Sequence, residues 1–334
     1  MTDCQGFTIE IDLRSSLGTP FQSDTFFGHL CWSLRFLWGE EKLQEFLSRY
    51  ENRESPPLLL SDGFPVGYLP KPVLPPVSPT DLDRIVGKEN RIHNSFMIKA
   101  IKKAVLMRRD IFFELQQDAI TPEKLFKAMK SAYKNEEGTE GPGIKESIQH
   151  NTIDRITGSV RDGGLFIHED TFFEPESSRF EVYLKTNCFS MRELEKIFEY
   201  MGEGGFGRDK STGKGHFTFQ IREGINLPET ENPNAFMTLS SYIPHAEAPT
   251  RGHYRTLHKY GKLGGTYAQG SPEAHKNPFK KPLLMFAAGS TFYDPDFKSG
   301  KIYGSLLREV HINKDIRHYA YAFPVGIRLE DKGC

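Results

Sequence analysis

Residues 204–215 read Gly-Gly-Phe-Gly-Arg-Asp-Lys-Ser-Thr-Gly-Lys-Gly, and we call this segment the glycine loop. A helical pattern, Ser190 to Met201, precedes it, and an alternating strand pattern, His216 to Arg222, follows it. Glycines let backbone N–H groups approach an anion, because no Cβ is in the way. A P-loop or a Rossmann fingerprint instead runs strand, loop, helix, and a P-loop needs Ser or Thr after Gly-Lys. The order therefore disfavours nucleotide hydrolysis and favours a loop that lies along a nucleic-acid backbone.

The segments outside the glycine loop predict further strands and two core helices. Phe7 to Leu13 alternates strictly between apolar and polar residues, which predicts a half-buried strand. Apolar residues at helical spacing predict a first helix that runs up to Gly39 and is capped by Ser23 or Asp24. Ser190 and Glu193 form a capping box for the second helix. More strand patterns lie at 151–158, 163–168 and 180–185.

Residues 56–148 predict a large insertion. Prolines recur from 56 to 79, a basic stripe lies at 99–109, and a helix is predicted from Thr121 to about Tyr133. This stretch is too long for a connection and too weakly apolar for a core of its own. Without it, the remaining elements have the βαββαβ order of a ferredoxin-like, RRM-like domain. We therefore predict a first domain at 1–225 that carries this insertion.

A second domain is predicted at 234–334, after a polar, proline-bounded linker at 223–233. Strand patterns dominate there, and a short helix is predicted to start near Gly304. The fold class is therefore α+β.

Composition narrows the function classes. The 334 residues carry 43 Lys plus Arg against 44 Asp plus Glu, which argues against indiscriminate coating of nucleic acid. Basic stripes at 99–109 and 251–262 indicate either a localised anion track or ordinary solvated faces. The four cysteines are far apart, so neither a zinc site, a disulfide framework nor a cofactor is indicated. No leader and no membrane-spanning run is evident, and we expect a cytoplasmic protein.

Four segments carry a resemblance to a known family: Leu17 to Trp32, Ser61 to Pro65 with Leu69 to Pro72, Ile153 to Gly158, and the glycine loop. Through them the sequence resembles the RAMP superfamily of CRISPR proteins, which serve in antiviral defence. More narrowly, it is similar to the fourth Csm subunit family, the Cas-five-like cap of type III-A effector complexes.

The resemblance implies two ferredoxin-like domains in a non-catalytic RNA-binding subunit. Such a subunit holds the repeat-derived 5′ tag of the CRISPR RNA and joins the large palm-domain subunit to the first backbone RAMP subunit. A thumb-like hairpin, which we place in the insertion at 56–148, wedges between segments of the guide-target RNA duplex.

The expected RNA contacts combine cations, small polar residues and aromatic rings. Solvation alone is the alternative for Lys71, an ion pair with Asp154 is the alternative for Arg155, and purely structural or protein contacts are the alternative for the glycine loop. Phe206, His253, Tyr254 and Tyr260 are the expected stacking partners for bases. The predicted RNA-binding residues are Gly205, Gly207, Arg208, Lys210, Ser211, Thr212, Lys214, Arg155, Lys71, Arg251, His253 and Arg255.

The main rival is a metal-independent endoribonuclease of the same superfamily that processes CRISPR precursor RNA. His29, off the apolar stripe of the first helix, would be its general acid or base. The alternative for His29 is a polar-face or capping role, and the sequence identifies no second acid–base group beside it.

Overall fold

The computed structural model describes residues 4–133 apart from 91 and 93, residues 143–268 and residues 277–330. The helices are α1 (Ser23–Trp38), α2 (Glu40–Ser48), α3 (Pro79–Val86), α4 (Ser95–Lys103), α5 (Arg109–Gln116), α6 (Pro122–Tyr133) and α7 (Met191–Gly204). The first nine strands are β1 (Gln5–Leu13), β2 (Leu58–Leu60), β3 (Phe64–Pro65), β4 (Tyr68–Pro70), β5 (Leu106–Arg108), β6 (Ile144–Ile153), β7 (Val160–Phe172), β8 (Arg179–Thr186) and β9 (Phe217–Glu223). The remaining strands are β10 (Ala235–Thr238), β11 (Gly252–His253), β12 (Thr256–Lys259), β13 (Leu283–Phe286), β14 (Thr291–Tyr293), β15 (Gly304–Leu307), β16 (His318–Tyr321) and β17 (Pro324–Ile327).

The N-terminal sheet is antiparallel and has the order β9-β1-β8-β2, with β3 also paired to β8. Ile9 on the central strand lies opposite Val182 on one side and Ile221 on the other. Its alternation buries Phe7, Ile9, Ile11 and Leu13, as the sequence predicts. Helices α1 and α7 pack against each other in the same hydrophobic core, and the predicted capping box of α7 is present. The mixture of helices and strands confirms the α+β class.

The second strand of this sheet differs from the sequence prediction. Leu58–Leu60 lies inside the predicted insertion, yet it pairs with β8 at the sheet edge. All three leucines are buried, so they show none of the alternation that marks a strand. The patterns at 151–158 and 163–168 instead belong to β6 and β7, which pair with each other outside the sheet. The predicted insertion at 56–148 therefore starts too early and ends too early.

The C-terminal part is built from strands. Its sheet has the order β11-β14-β10-β17, and β12-β13 and β15-β16 form two further pairs. The helix predicted near Gly304 is wrong, because Gly304 lies opposite Tyr321 in the β15-β16 pair. Among the described residues after Gly204 there is no α-helix.

The two parts share one hydrophobic core. Phe27 of α1 stacks on Tyr319 of β16, with ring centroids 5.1 Å apart. The Leu60 backbone N–H donates to Tyr319 Oη at 2.8 Å, and Ile120 forms a parallel bridge to Leu329. Burial of these groups fixes the C-terminal strands against the first helix and against the helical insertion.

A buried carboxylate, Asp62, joins three segments. One oxygen accepts the Ser23 N–H at the start of α1 at 2.8 Å, and the carboxylate also accepts the Ser241 N–H and hydroxyl at 3.3 and 3.1 Å. The prediction that Ser23 or Asp24 caps α1 is wrong, because the N-cap is Gln22, which makes no side-chain capping bond. Asp62 supplies the missing acceptor and a negative charge at the helix N-terminus. Burial raises its pKa, and the hydrogen bonds from Ser23 and Ser241 oppose that shift.

In the described part of the chain, none of the helices combines the length and the hydrophobicity that crossing a bilayer requires.

We predict that Asp62→Ala lowers the free energy of unfolding by about 3 kcal/mol, because it leaves buried donors without an acceptor. Urea unfolding followed by circular dichroism measures the change. The control is Asp162→Ala, since Asp162 is exposed. Equal unfolding midpoints for Asp62→Ala and the control would contradict this role.

Candidate nucleic-acid interface

Two cations of the glycine loop are tied to the base of the β6-β7 hairpin. Lys214 Nζ lies 2.5 Å from Asp170 Oδ2, and Arg208 donates to Asp170 Oδ1 at 3.3 Å and to the Glu169 carbonyl at 2.8 Å. Asp170 is fully buried. Burial alone would raise the pKa of Asp170, but the hydrogen bonds and charges of Lys214 and Arg208 outweigh it and lower the pKa. Lys214 was expected to be an exposed phosphate ligand. It is instead a buried anchor of the loop.

The glycines of the loop are required by its backbone. Gly207 and Gly215 have φ of 79° and 70°, and a Cβ on Gly215 would lie 2.1 Å from the Phe206 carbonyl oxygen. The expected open cradle of N–H groups is not formed, because Gly207, Arg208 and Gly215 donate theirs to His29 Nε2, Thr19 Oγ1 and the Ser16 carbonyl. Gly205, with φ of 76°, is buried as well.

His29 holds the loop on α1. Its Nε2 accepts the Gly207 N–H at 2.9 Å, and its ring stacks on Phe206 with centroids 4.7 Å apart. Phe206 is fully buried against Phe21 and Phe26, so the expectation that it stacks on bases is wrong. Burial, reinforced by the charge of Lys210, lowers the pKa of His29 to about 3. The ring is neutral at physiological pH, and its acceptor nitrogen is occupied.

The outer edge of the loop is Lys210, Ser211 and Thr212. Ser211 and Thr212 are exposed, and the Lys210 side chain makes no hydrogen bond or ion pair with any described residue, although its carbonyl accepts the Gly213 N–H. Partial burial lowers the pKa of Lys210. Arg208 keeps a side-chain exposure of 38% beside them. The Thr212 hydroxyl donates to the Asp209 carbonyl at 2.8 Å, so the donors that remain for an anion in solvent are the Lys210 ammonium group and the Ser211 hydroxyl.

Arg155 lies at the tip of the hairpin, away from the anchored base of β7. Its expected partner Asp154 instead accepts the N–H groups of Ile156 and Thr157 at 2.8 and 3.1 Å. Arg155 is exposed and makes no ion pair with a described residue. Ile156 beside it is 96% exposed. The hairpin therefore presents an apolar tip with the exposed cation of Arg155 beside it.

The second basic stretch is divided between structural and exposed roles. Lys259 Nζ contacts Asp24 Oδ1 at 2.9 Å and Gln22 Oε1 at 2.7 Å, which ties β12 to the start of α1. Arg251 lies over the Tyr293 ring, 4.8 Å from its centroid, and is exposed. His253 is half-buried, and burial lowers its pKa. Tyr254 and Tyr260 are exposed, as base stacking requires.

Lys71 and Arg255 come together although 184 positions separate them in the sequence. Lys71 Nζ donates to the Ile101 and Lys102 carbonyls at the end of α4, at 2.7 and 3.3 Å. Burial, reinforced by the charge of Arg255, lowers the pKa of Lys71 to about 8. Plain solvation, the alternative considered for Lys71, does not describe this half-buried ammonium group.

The anchoring residues Thr19, His168, Asp170 and Asp209 escaped the sequence analysis. His168 Nδ1 lies 3.1 Å from Asp209 Oδ2, so β7 and the loop are joined by a second contact. A polar side chain was the only available signal, and it does not identify a partner such as Arg208, which lies 38 residues after Asp170. Within the described ranges, no cluster of three or more His, Cys, Asp or Glu side chains could hold a metal ion.

We predict that His29 contributes stability above pH 6.5 that is lost as the pH falls towards 3. Its folded-state pKa lies below that of the unfolded chain, so protonation favours unfolding. The unfolding free energy of the wild type should fall faster than that of His29→Gln, by up to about 1.4 kcal/mol per pH unit. Urea titrations from pH 7.5 downward measure this difference, and parallel pH profiles would contradict it.

Comparison with known proteins places this geometry in a family. Residues 13–218, well over half of the chain, match the profile of the RAMP superfamily. No curated protein matches the sequence. A chain of the crystal structure of a Csm1-Csm4 cassette in complex with AMPPNP is similar, with 17% identity, a TM-score of 0.56 and coverage of 98% of this chain and 99% of that chain. A chain of the Csm3-Csm4 subcomplex in the type III-A CRISPR-Cas interference complex is similar at 15% identity, with a TM-score of 0.53 and coverage of 97% and 99%.

At this level of identity, the similarity to the solved structures establishes a shared fold, and the family follows from the profile, which runs from the last residue of β1 through α1, α7 and the glycine loop. The chain belongs to the RAMP superfamily.

Proposed function

We propose that this chain is a non-catalytic, RNA-binding scaffold subunit of a type III-A CRISPR-Cas interference complex. It would hold the repeat-derived 5′ tag of the CRISPR RNA and bridge the large palm-domain subunit to the backbone RAMP subunits. Such a subunit would act in the cytoplasm and needs no cofactor.

One observation carries the proposal. The full length of the chain is similar both to a chain from a Csm1-Csm4 cassette and to a chain from a Csm3-Csm4 subcomplex, and Csm4 is the subunit common to both. Those assemblies contain Csm1 and Csm3, respectively. By analogy, this chain would contact a large subunit and a backbone subunit.

The strand order β9-β1-β8-β2, with α1 and α7 between the strands in sequence, supports a ferredoxin-like interpretation of the N-terminal part. The same interpretation of the C-terminal part has no such support, since its described residues form no α-helix. The β6-β7 hairpin is the element that fits a thumb. It is a two-stranded pair outside the main sheet with exposed Ile153 and Ile156 at its tip, which suits insertion beside the bases of a guide-target duplex.

RNA contact is supported by side chains that reach solvent. Lys210, Ser211 and Thr212 edge the glycine loop, Arg155 lies at the hairpin tip, and exposed tyrosines accompany the Arg251 to Lys262 stretch. Single-stranded RNA binds through phosphates and through stacking on aromatic rings. Lys259 of that stretch is excluded as a free contact, because Asp24 already pairs with it.

The endoribonuclease alternative loses its central residue. His29 accepts a hydrogen bond from Gly207, stacks on buried Phe206, and has a pKa of about 3, so it is a weak base at neutral pH. Its position supports the view that it holds the RNA-facing loop in place.

We predict that Lys210→Ala weakens binding of RNA that carries the 5′ tag by about tenfold. Loss of one phosphate contact to a single strand should also reduce the salt slope by about 0.7. Fluorescence anisotropy at several salt concentrations measures both quantities.

The matched control for Lys210 is Lys196→Ala, an exposed lysine on α7. The double variant Arg208→Ala with Lys214→Ala should weaken binding too, but it also removes both cations that pair with Asp170. If Lys210→Ala behaves like Lys196→Ala in affinity and salt slope, the loop makes protein contacts only and the RNA role is overturned.

We also predict that the purified chain does not cleave repeat RNA in EDTA, because its one candidate histidine is engaged in the fold. Gel analysis of labelled repeat RNA checks this. Sequence-specific cleavage that disappears in His29→Ala would contradict the scaffold proposal.

A further inference from the structure

A cavity of about 290 Å³ lies where four segments of the chain meet. Its walls are the proline-rich run 71–77, residues 101–104 at the end of α4, the face of α6 that carries Leu125 and Met129, and Arg255 from the C-terminal part. The run is fixed on the C-terminal sheet, because the Val73 N–H donates to the Gly289 carbonyl and Thr291 Oγ1 donates to the Val73 carbonyl, both at 2.8 Å. No single segment forms this cavity by itself.

The charged residues that line the cavity are all cationic. Four of the residues that line it are cationic, namely Lys71, Lys102, Lys103 and Arg255, and none of its described lining residues is acidic. Arg255 donates to the Ala288 carbonyl at 3.1 Å, while its buried Nε has no hydrogen-bond partner among the described residues. Lys71 uses two of its three N–H donors on carbonyls of α4. Burial, and after it the charge of Arg255, lowers the pKa of Lys71 to about 8.

Such an arrangement is costly without an anion. A half-buried guanidinium and an ammonium group that lack a carboxylate partner are stabilised when a phosphate supplies the missing charge and acceptors. The rest of the lining is apolar, with Leu74, Leu125, Met129 and the ring of Phe126. A ligand that suits both parts has a phosphate and a flat, weakly polar ring.

The size limits that ligand to one unit. Ligand sites usually start at about 300 Å³, so this cavity has room for a single nucleotide and not for a folded strand. Inorganic phosphate would leave the apolar lining empty, and a nucleoside would leave the cations unpaired.

We propose that this cavity binds one nucleoside monophosphate unit, with its phosphate on Lys71 and Arg255 and its base against the apolar lining around Leu74 and Phe126. The unit is either a free mononucleotide or a single nucleotide of a bound RNA. The second source rests on the proposed RNA-binding function, and the first does not.

The test is isothermal titration calorimetry of the full chain with AMP, GMP, CMP and UMP, and with adenosine and inorganic phosphate. At least one 5′-monophosphate should bind about tenfold or more tightly than the nucleoside and the phosphate ion, because charge-assisted hydrogen bonds add to base contacts. If none of the four binds, or if the nucleoside binds equally well, the inference is overturned.

Two variants locate the site. Arg255→Gln should weaken mononucleotide binding about tenfold or more, and Leu74→Trp should abolish it by filling the cavity. Arg192→Gln, on the exposed face of α7, is the matched control and should bind as the wild type does. Thermal melts check that each variant folds; where Leu74→Trp does not, Arg255→Gln decides. Unchanged affinity in folded Arg255→Gln overturns the assignment.

Competition separates the two sources. If a short 5′-phosphorylated single-stranded RNA displaces the mononucleotide, the cavity takes a nucleotide of RNA; if both bind together, it takes a free nucleotide. RNA binding without mononucleotide binding overturns this inference alone. Mononucleotide binding without RNA binding overturns the proposed function alone.

Discussion

The buried carboxylate of Asp62 is the constraint on which the rest of the structure depends. It completes the start of α1, and through Ser241 it fixes the first residues after β10 at the same point. The N-terminal part, at Ser23, and the C-terminal part, at Ser241, therefore meet at the start of α1. Residues just before and within α1 then receive the glycine loop through Thr19 and His29. A charge placed there is tolerated because three donors surround it.

Cations in the basic segments serve two different purposes. Lys214 and Lys259 are nearly buried and neutralise Asp170 and Asp24, so they hold segments of the chain together. Lys210 and Arg155 are left without partners among the described residues and remain open to a ligand. A count of positive residues cannot separate these groups, because the partner carboxylates come from distant parts of the chain. Burial decides which cation is structural.

The backbone of the glycine loop serves the fold, and only side chains at its edge can reach a ligand. Its glycines permit left-handed backbone and close contact, and its N–H groups bond mostly within the protein. The groups that bind an anion must therefore be the side chains along the edge of the loop and those of neighbouring surfaces. Proposed contacts at the hairpin tip and near Lys71 lie on other elements, so an RNA strand would be held at several separate points rather than in one cradle.

Sequence alone determined β1, α1, α7 and β9, because strict periods of two or 3.6 residues and a capping box are local signals. It also identified the glycine loop and exposed residues such as Arg155 and Ser211, whose contact with RNA stays a prediction. Only the tertiary structure decided that Leu58–Leu60 closes the sheet edge, that β6 and β7 pair with each other, and that His29 and Phe206 are structural. Alternation identifies a strand without naming its partner, and a polar residue gives no sign of burial. Those outcomes depend on long-range packing, which no local pattern records.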